Sequence, residues 1–240
     1  MGHKVHPKVF RLSTIYTWDS KWFARGKQFV SQLQEDVELR EFLRIALKDA
    51  GVSEINVERT PKNVTITIHA AKPGFVIGRA GAGIEELKKK IMKRFYSGRR
   101  VTLNINVQEI ARPMLSAEVV GQQIAQEIER RMPFRRSMKM AIERVMKGGG
   151  RGVKLTLSGR LNGAEIARTE TIANGSIPLH NLRADVDFAR VRATTLQGVV
   201  GVKVWIYRGD VFDRKDTDTR ASAEQDNNRA PRPPRGRAAR

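Results

Sequence analysis

The chain has 240 residues, with 45 lysines and arginines against 25 aspartates and glutamates, a formal net charge of +20. A field of that sign draws polyanions, nucleic acid before others. It has no cysteine, which excludes disulfides, cysteine-bearing zinc sites and thiol nucleophiles together, and His3, His6, His69 and His180 are too scattered to pair as metal ligands on one helix. No run approaches the ~18 apolar residues of a spanning helix, and the first residues lack both the apolar core of a secretion signal and, with His6 in the place of Ser or Thr, the pattern for myristoylation. A soluble, cytoplasmic protein of two ordinary domains is expected.

Residues 1–35 are basic and aromatic (Phe10, Tyr16, Trp18, Trp22, Phe23) without sustained periodicity, and predict an irregular arm packed on something larger. From 36 to 50, Leu39, Phe42, Leu43, Ala46, Leu47 and Ala50 recur at helical spacing, with Asp36 as an N-cap and Gly51 as a stop. A short strand around Ile55 to Glu58 follows. Next, Val64, Ile66 and Ile68 alternate with Thr65, Thr67 and His69, a half-buried strand. A helix from about Gly83 to Phe95 buries Ile84, Leu87, Ile91 and Phe95 and leaves Lys88, Lys89, Lys90, Lys93 and Arg94 outside. A second alternating strand runs from Val101 to Val107.

The rhythm changes at Arg112-Pro113, which divides a domain over 36–110 from one over 111–212. The latter opens with two helices either side of Pro133: Ala117, Val120, Ile124 and Ile128 line the first, Met138, Ile142 and Val145 the second. Beyond Gly148-Gly149-Gly150 come strands over 153–158, 164–172, 182–188 and 199–207. Two helices followed by four strands predict a mainly antiparallel sheet covered on one face, so the fold class is α+β. Residues 213–240 lose apolar periodicity and read as a disordered basic tail.

Between the two alternating strands of the first domain stands Val76-Ile-Gly78-Arg79-Ala80-Gly81-Ala-Gly-Ile84. It fits neither the Walker loop, which needs Gly-Lys followed by Ser or Thr, nor the dinucleotide fingerprint Gly-x-Gly-x-x-Gly. It matches the KH loop, Val-Ile-Gly-x-x-Gly-x-x-Ile, at every fixed position. Gly78 and Gly81 let the backbone approach a sugar–phosphate track. The helix start after Gly81 favours phosphate, Arg79 supplies charge, Lys88 and Lys89 continue it, and bases of a single strand would lie beside the loop against Val76 and Ile77. A helix and strand ahead of this core give the type II KH order.

In the second domain, Arg135, Arg136 and Lys139 share the outward side of a helix at a spacing suited to successive phosphates, with Arg130 and Arg131 just before them. A solvated helix face is the bland rival. Asp185 and Asp187 alternate on a strand as a metal pair would, but with Arg183, Arg190 and Arg192 nearby an exposed, ion-paired strand is favoured. Trp205 and Tyr207 read as packing aromatics rather than base stackers. No catalytic constellation, metal site or cofactor emerges.

Several long segments, in order, resemble one family: Met-Gly-x-Lys-Val-His-Pro at the start, the KH loop, Phe134-Arg-Arg-x-Met-Lys139, the run from Ser158 to Thr169, Pro178-Leu-His-x-Leu-Arg-Ala-Asp185, and Gly198-Val-x-Gly-Val-Lys-Val-Trp-Ile206. The chain resembles the family of the third protein of the bacterial small ribosomal subunit. The resemblance implies a cytoplasmic, ribosome-bound protein that binds 16S ribosomal RNA in the lower part of the subunit head. It also implies contact with the tenth and fourteenth small-subunit proteins, and a helix, carrying Arg135, Arg136 and Lys139, that faces and helps unwind incoming messenger RNA. Two departures stand out: Ala80 where the family often has a second base, and His3 for the usual Gln. A free KH-domain RNA-binding regulator is the alternative.

Overall fold

The computed structural model describes residues 4–97 and 101–212; His3 and the tail expected over 213–240 lie outside the described residues. In chain order the elements are α1 (Pro7–Phe10), β1 (Ser20–Lys21), α2 (Lys27–Ala46), β2 (Val52–Arg59), β3 (Asn63–Ala70), α3 (Pro73–Ile77), α4 (Ala82–Phe95), β4 (Thr102–Glu109), α5 (Ala117–Glu129), α6 (Phe134–Lys147), β5 (Gly152–Gly159), β6 (Arg168–Gly175), β7 (Ala184–Thr195) and β8 (Gly198–Asp210).

The first sheet has the order β1-β2-β3-β4. Its outer pairs, β1 with β2 and β3 with β4, are parallel and the central pair antiparallel, because β3 reaches β4 only by a crossover through α3 and α4. With α2 in front this is the type II KH order. Alternation works as expected: Val64, Ile66 and Ile68 join Leu39, Leu43, Leu87 and Ile91 in one buried core, with Ile84 and Phe95 half-buried at its edge. Gly51, at φ 65°, ends the turn after α2 in the left-handed conformation.

The start of that helix departs from expectation. α2 begins at Lys27, inside the stretch read as arm, and Asp36 sits in its middle rather than at its cap. Asp36 is buried there. It accepts hydrogen bonds from Trp22 Nε1 at 2.7 Å and Ser20 Oγ at 3.1 Å and pairs with the Arg59 guanidinium of β2. The first turns of α2 carry exposed Phe29, Val30 and Leu33, so burial gave no periodic signal there.

In the second unit the order is β6-β5-β8-β7, antiparallel throughout. Helices α5 and α6 bury Ile124, Met138, Ile142 and Val145 against Leu155, Leu157, Val202 and Val204. The strand expected over 164–172 is found at Arg168–Gly175. A tight turn with Asn162 and Gly163 at positive φ precedes it, and the Arg160 guanidinium claims the Ala164 carbonyl at 2.8 Å, which removes that acceptor from any ladder.

Residues 4–16 run over the second unit. Arg11 is fully buried and donates to the carbonyls of Pro7, Pro178, Leu179 and Asn181 at 2.9–3.1 Å, while Tyr16 donates to Asp185. Lys8 bridges the units: its Nζ lies 2.9 Å from Glu54 of β2 and 2.9 Å from Asp187 of β7. Ser53–Ser116, at 2.7 Å, Gln122 donating to the Val52 carbonyl, at 2.9 Å, and the Lys48–Glu129 ion pair, at 3.1 Å, also cross the seam.

Candidate RNA-binding surfaces

The KH turn links α3 to α4. Gly78 has φ 70° and ψ −176°, a region closed to side chains, and a Cβ there would lie 2.9 Å from the Gly83 nitrogen. Gly83 in turn has no room for a Cβ, since the Val76 carbonyl oxygen would be 2.8 Å away. The missing side chain of Gly78 is thus used to bring α3 and α4 together. Gly81, at φ 82°, faces open space, so the approach of an outside backbone belongs to it and to its exposed neighbours Arg79 and Ala80. Ala80 itself is held at φ 51°.

Along α4, Lys88 and Lys89 are exposed as expected. Lys90 is tied to Glu86 at 2.7 Å, and the Arg94 guanidinium lies over the rings of Phe42 and Phe95, where its planar cation covers apolar surface. A groove of about 420 Å³ between α4 and the edge of the sheet is lined by Thr65, Ile84, Glu85, Lys88, Asn104, Ile105 and Asn106. The expected role of Val76 beside a base fails because that side chain is in the core at 1% exposure. Ile77 and Phe75 are the exposed apolar groups, with Lys72 Nζ 5.6 Å from the Phe75 ring. Sequence reading gave no role to Phe75, or to Asn104 and Asn106 of the second alternating strand. The parallel pairing of β3 with β4, which sets Thr65 opposite Asn104, brings these polar groups to one groove.

On α6, Phe134, Met138, Ile142 and Val145 are buried and Arg135, Arg136 and Lys139 exposed. Arg135 is not alone on that face. It grips Glu170 of β6 through Nε and one terminal nitrogen, both at 3.1 Å, and Arg168 reaches the same carboxylate at 3.2 Å. Hydrogen bonding from Arg135 holds Glu170 below the usual carboxylate range, and the guanidinium is raised in turn. Arg135 and Arg168 both lie over the Phe134 ring at 5.7 Å. Glu170 and Arg168 were missed because only strand pairing brings β6 beside α6.

The Asp185/Asp187 pair is neither a metal site nor an exposed strand. The register shifts there, with Arg208 of β8 as the extra residue between the partners of Asp185 and Val186. Asp187, at 2% exposure, pairs with Lys8 and Arg208, at 2.9 and 2.8 Å, and accepts the Ala117 N–H at 2.8 Å, which caps α5. Arg208 and Lys8, rather than Arg183, Arg190 or Arg192, are its partners. Trp205 packs on Phe188 with ring centroids 5.0 Å apart, as expected of a packing aromatic. Among the described residues no cluster of His, Asp and Glu could hold a metal, and no helix is long and apolar enough to cross a membrane.

A Gly-x-x-Gly turn joining two helices beside a mixed sheet, followed by a separate two-layer domain with a cationic helix face, defines an RNA-binding protein of the KH class. The comparisons narrow this. The KH domain family matches residues 38–115, and the family described as "Ribosomal protein S3, C-terminal domain" matches residues 124–206. Among curated relatives, the "Small ribosomal subunit protein uS3" of Oenococcus oeni is 49% identical over 93% of this chain and 86% of its own. Proteins of that name from Acidovorax sp. and Laribacter hongkongensis are 45% and 47% identical, covering 98% and 88% of this chain and 80% and 89% of theirs. The chain belongs to the uS3 family of small ribosomal subunit proteins.

Proposed function

We propose that this chain is a structural, RNA-binding constituent of the small ribosomal subunit, working in the cytoplasm without catalysis or a cofactor. One observation carries the reading. An exposed KH turn and an exposed cationic helix face occur in a single chain of the uS3 family, each built on an apolar side locked into its own core. In this reading the unit over 36–110 and the unit over 111–212 divide the work. Gly78, Arg79, Gly81, Lys88 and Lys89 form a surface for 16S ribosomal RNA in the lower part of the head. Arg135, Arg136 and Lys139 grip messenger RNA where it enters and favour its unwound form by holding single-strand phosphates. The neighbours are the tenth and fourteenth small-subunit proteins, for which the apolar face of α2 bearing Phe29, Val30, Leu33 and Val37, all exposed, is a suitable docking stripe.

Sedimentation of a lysate containing tagged chain tests the reading first. The chain should remain with the small subunit through a high-salt wash; a chain that runs free would make a KH-domain regulator the better description. Changing Arg135, Arg136 and Lys139 together to Ala should flatten the salt dependence of single-stranded RNA binding by about 0.7 log unit per log salt for each phosphate no longer held. An unchanged slope would return these residues to a solvated face.

A further inference from the structure

The C-terminal sheet packs α5 and α6 on one face; on the other, His6 lies on Phe188 and Ile177 and Leu179 pack on Ala184, Val186 and Tyr207 at one end, and register identifies what stands on the part left uncovered. Leu155, Leu157, Val202, Val204 and Ala189 face the helices, so the alternate residues form the uncovered side. Pairing aligns Thr171, Thr156, Lys203 and Arg190 in one row across the strands, and Thr169, Ser158, Gly201 and Arg192 in the next. A third row brings Lys154 beside Trp205 and Phe188. Arg190, Arg192 and Lys203 stand on this side with Thr169 and Thr171, and all five are exposed. None of the residues in these three rows is an Asp or Glu. The acids of these strands that pair with cations stand outside these rows: Glu170 with Arg135, Asp187 with Lys8, and Asp185 with Arg208.

We propose that this uncovered face is a further RNA surface, separate from the KH turn and from α6, and that it holds the sugar–phosphate backbone of the small-subunit RNA. The proposal rests on the ribosomal reading above. Strand spacing sets Arg190 beside Lys203 at roughly 5 Å, and Arg192 about 7 Å along the strand from Arg190, so the three cations form one compact patch with hydroxyls around it to donate to phosphate or ribose oxygens. A face kept polar merely for solubility would mix both signs; this one carries a single sign on an otherwise neutral lattice. Backbone rather than base is the target because the aromatic groups are occupied. Phe188 is 6% exposed, covered by His6 at 4.7 Å and Trp205 at 5.0 Å, and Lys154 Nζ lies 5.5 Å from the Trp205 ring.

Lysine acetylation read by mass spectrometry tests the assignment on the intact particle. Lys203 should react in the free full-length chain, be protected at least ~5-fold in small subunits that contain the chain, and regain reactivity once the particle's RNA is digested. Absence of protection overturns the proposal, and so does protection that survives nuclease, which would place a protein on the face. A second measurement uses the purified chain: the triple variant R190A/R192A/K203A, with its circular dichroism and melting unchanged, should bind 16S RNA with a salt slope smaller by about 2 log units, three phosphates at ~0.7 each. An unchanged slope overturns the proposal while leaving the ribosomal reading intact. Failure of the unaltered chain to join subunits or bind their RNA is the distinct result that would sink both.

Discussion

At the scale of single residues, the informative positions are those whose chemistry is already spoken for. Glu170 neutralises part of the α6 cluster, and an RNA phosphate competing for Arg135 must first displace that carboxylate. Substituting Glu170→Gln should therefore raise affinity for single-stranded RNA and steepen its salt slope by about 0.7 log unit, the increment for one more phosphate bound; equal slopes would mean that Arg135 never leaves its partner. Asp36 is the opposite case, a charge whose partners are internal. Its carboxylate binds Arg59, whose side chain is 7% exposed, so Asp36→Ala leaves a buried guanidinium short of a partner and should cost about 3–5 kcal/mol in urea denaturation. A loss below about 1 kcal/mol, the range of an ordinary exposed pair, would show that Glu35, 2.8 Å from Arg59, suffices alone. The KH glycines also separate by use. An aspartate at Gly78 would break the close approach to Gly83 and test folding, whereas Gly81→Asp meets no neighbour and strains only its own backbone at φ 82°, so that, compared with Gly81→Asn, it reads phosphate repulsion.

At the scale of elements, α1 and the residues around it should dock in a pH-dependent way. Burial, then Arg190 and Lys8, push the His6 imidazole below its ordinary value. The folded state therefore refuses a proton that the unfolded chain accepts, and stability falls as pH drops below about 6.5. Asp187 is held below the carboxylate range because Lys8 and Arg208 outweigh its burial; its contribution is full above about pH 4 and lost as pH falls through the depressed value. Lys8, raised by Asp187 and Glu54 against its burial, contributes fully up to about pH 10 and loses that contribution as pH rises through the raised value. Hydrogen exchange over residues 4–16, corrected for intrinsic rates, should show greatest protection between about pH 6.5 and 10, the window these shifts define; a flat profile from about pH 5 to 8 would refute this. Strands and helices with one apolar side, such as β3 and α6, were legible because burial imposes a period on them. The start of α2 was not, since Phe29, Val30, Leu33 and Val37 stay exposed and lie apart from the buried run that begins at Leu39, and Asp36 looked like a cap because a lone acid beside a hydrophobic run is the commoner cap signal. The KH turn was readable as a motif, but the separate uses of Gly78 and Gly81 emerge only when α3 and α4 are brought together.

At the scale of the whole molecule, the N-terminal residues are a strap across both units, with Lys8 held by one acid from each. Replacing Lys8 with Ala leaves Asp187 with Arg208 and the Ala117 N–H and removes the bridge to Glu54. Thermal unfolding should then lose cooperativity between the units and separate into two transitions, and a single sharp transition would show that the remaining contacts, Ser53–Ser116, Gln122–Val52 and Lys48–Glu129, suffice. The strap also imposes an order on biosynthesis. Arg11 finds its carbonyl partners at a separation of 167 to 170 residues, and the chain leaves its own ribosome N-terminus first at about 5–20 residues per second. For roughly 8 to 35 s, that separation divided by the synthesis rate, a basic, aromatic leader is therefore outside with its binding site not yet made, and it seats only when the strand carrying Asp187 emerges. A late stretch of the synthesis thus receives the first, so seating of Arg11 reports that the chain has been read at least that far.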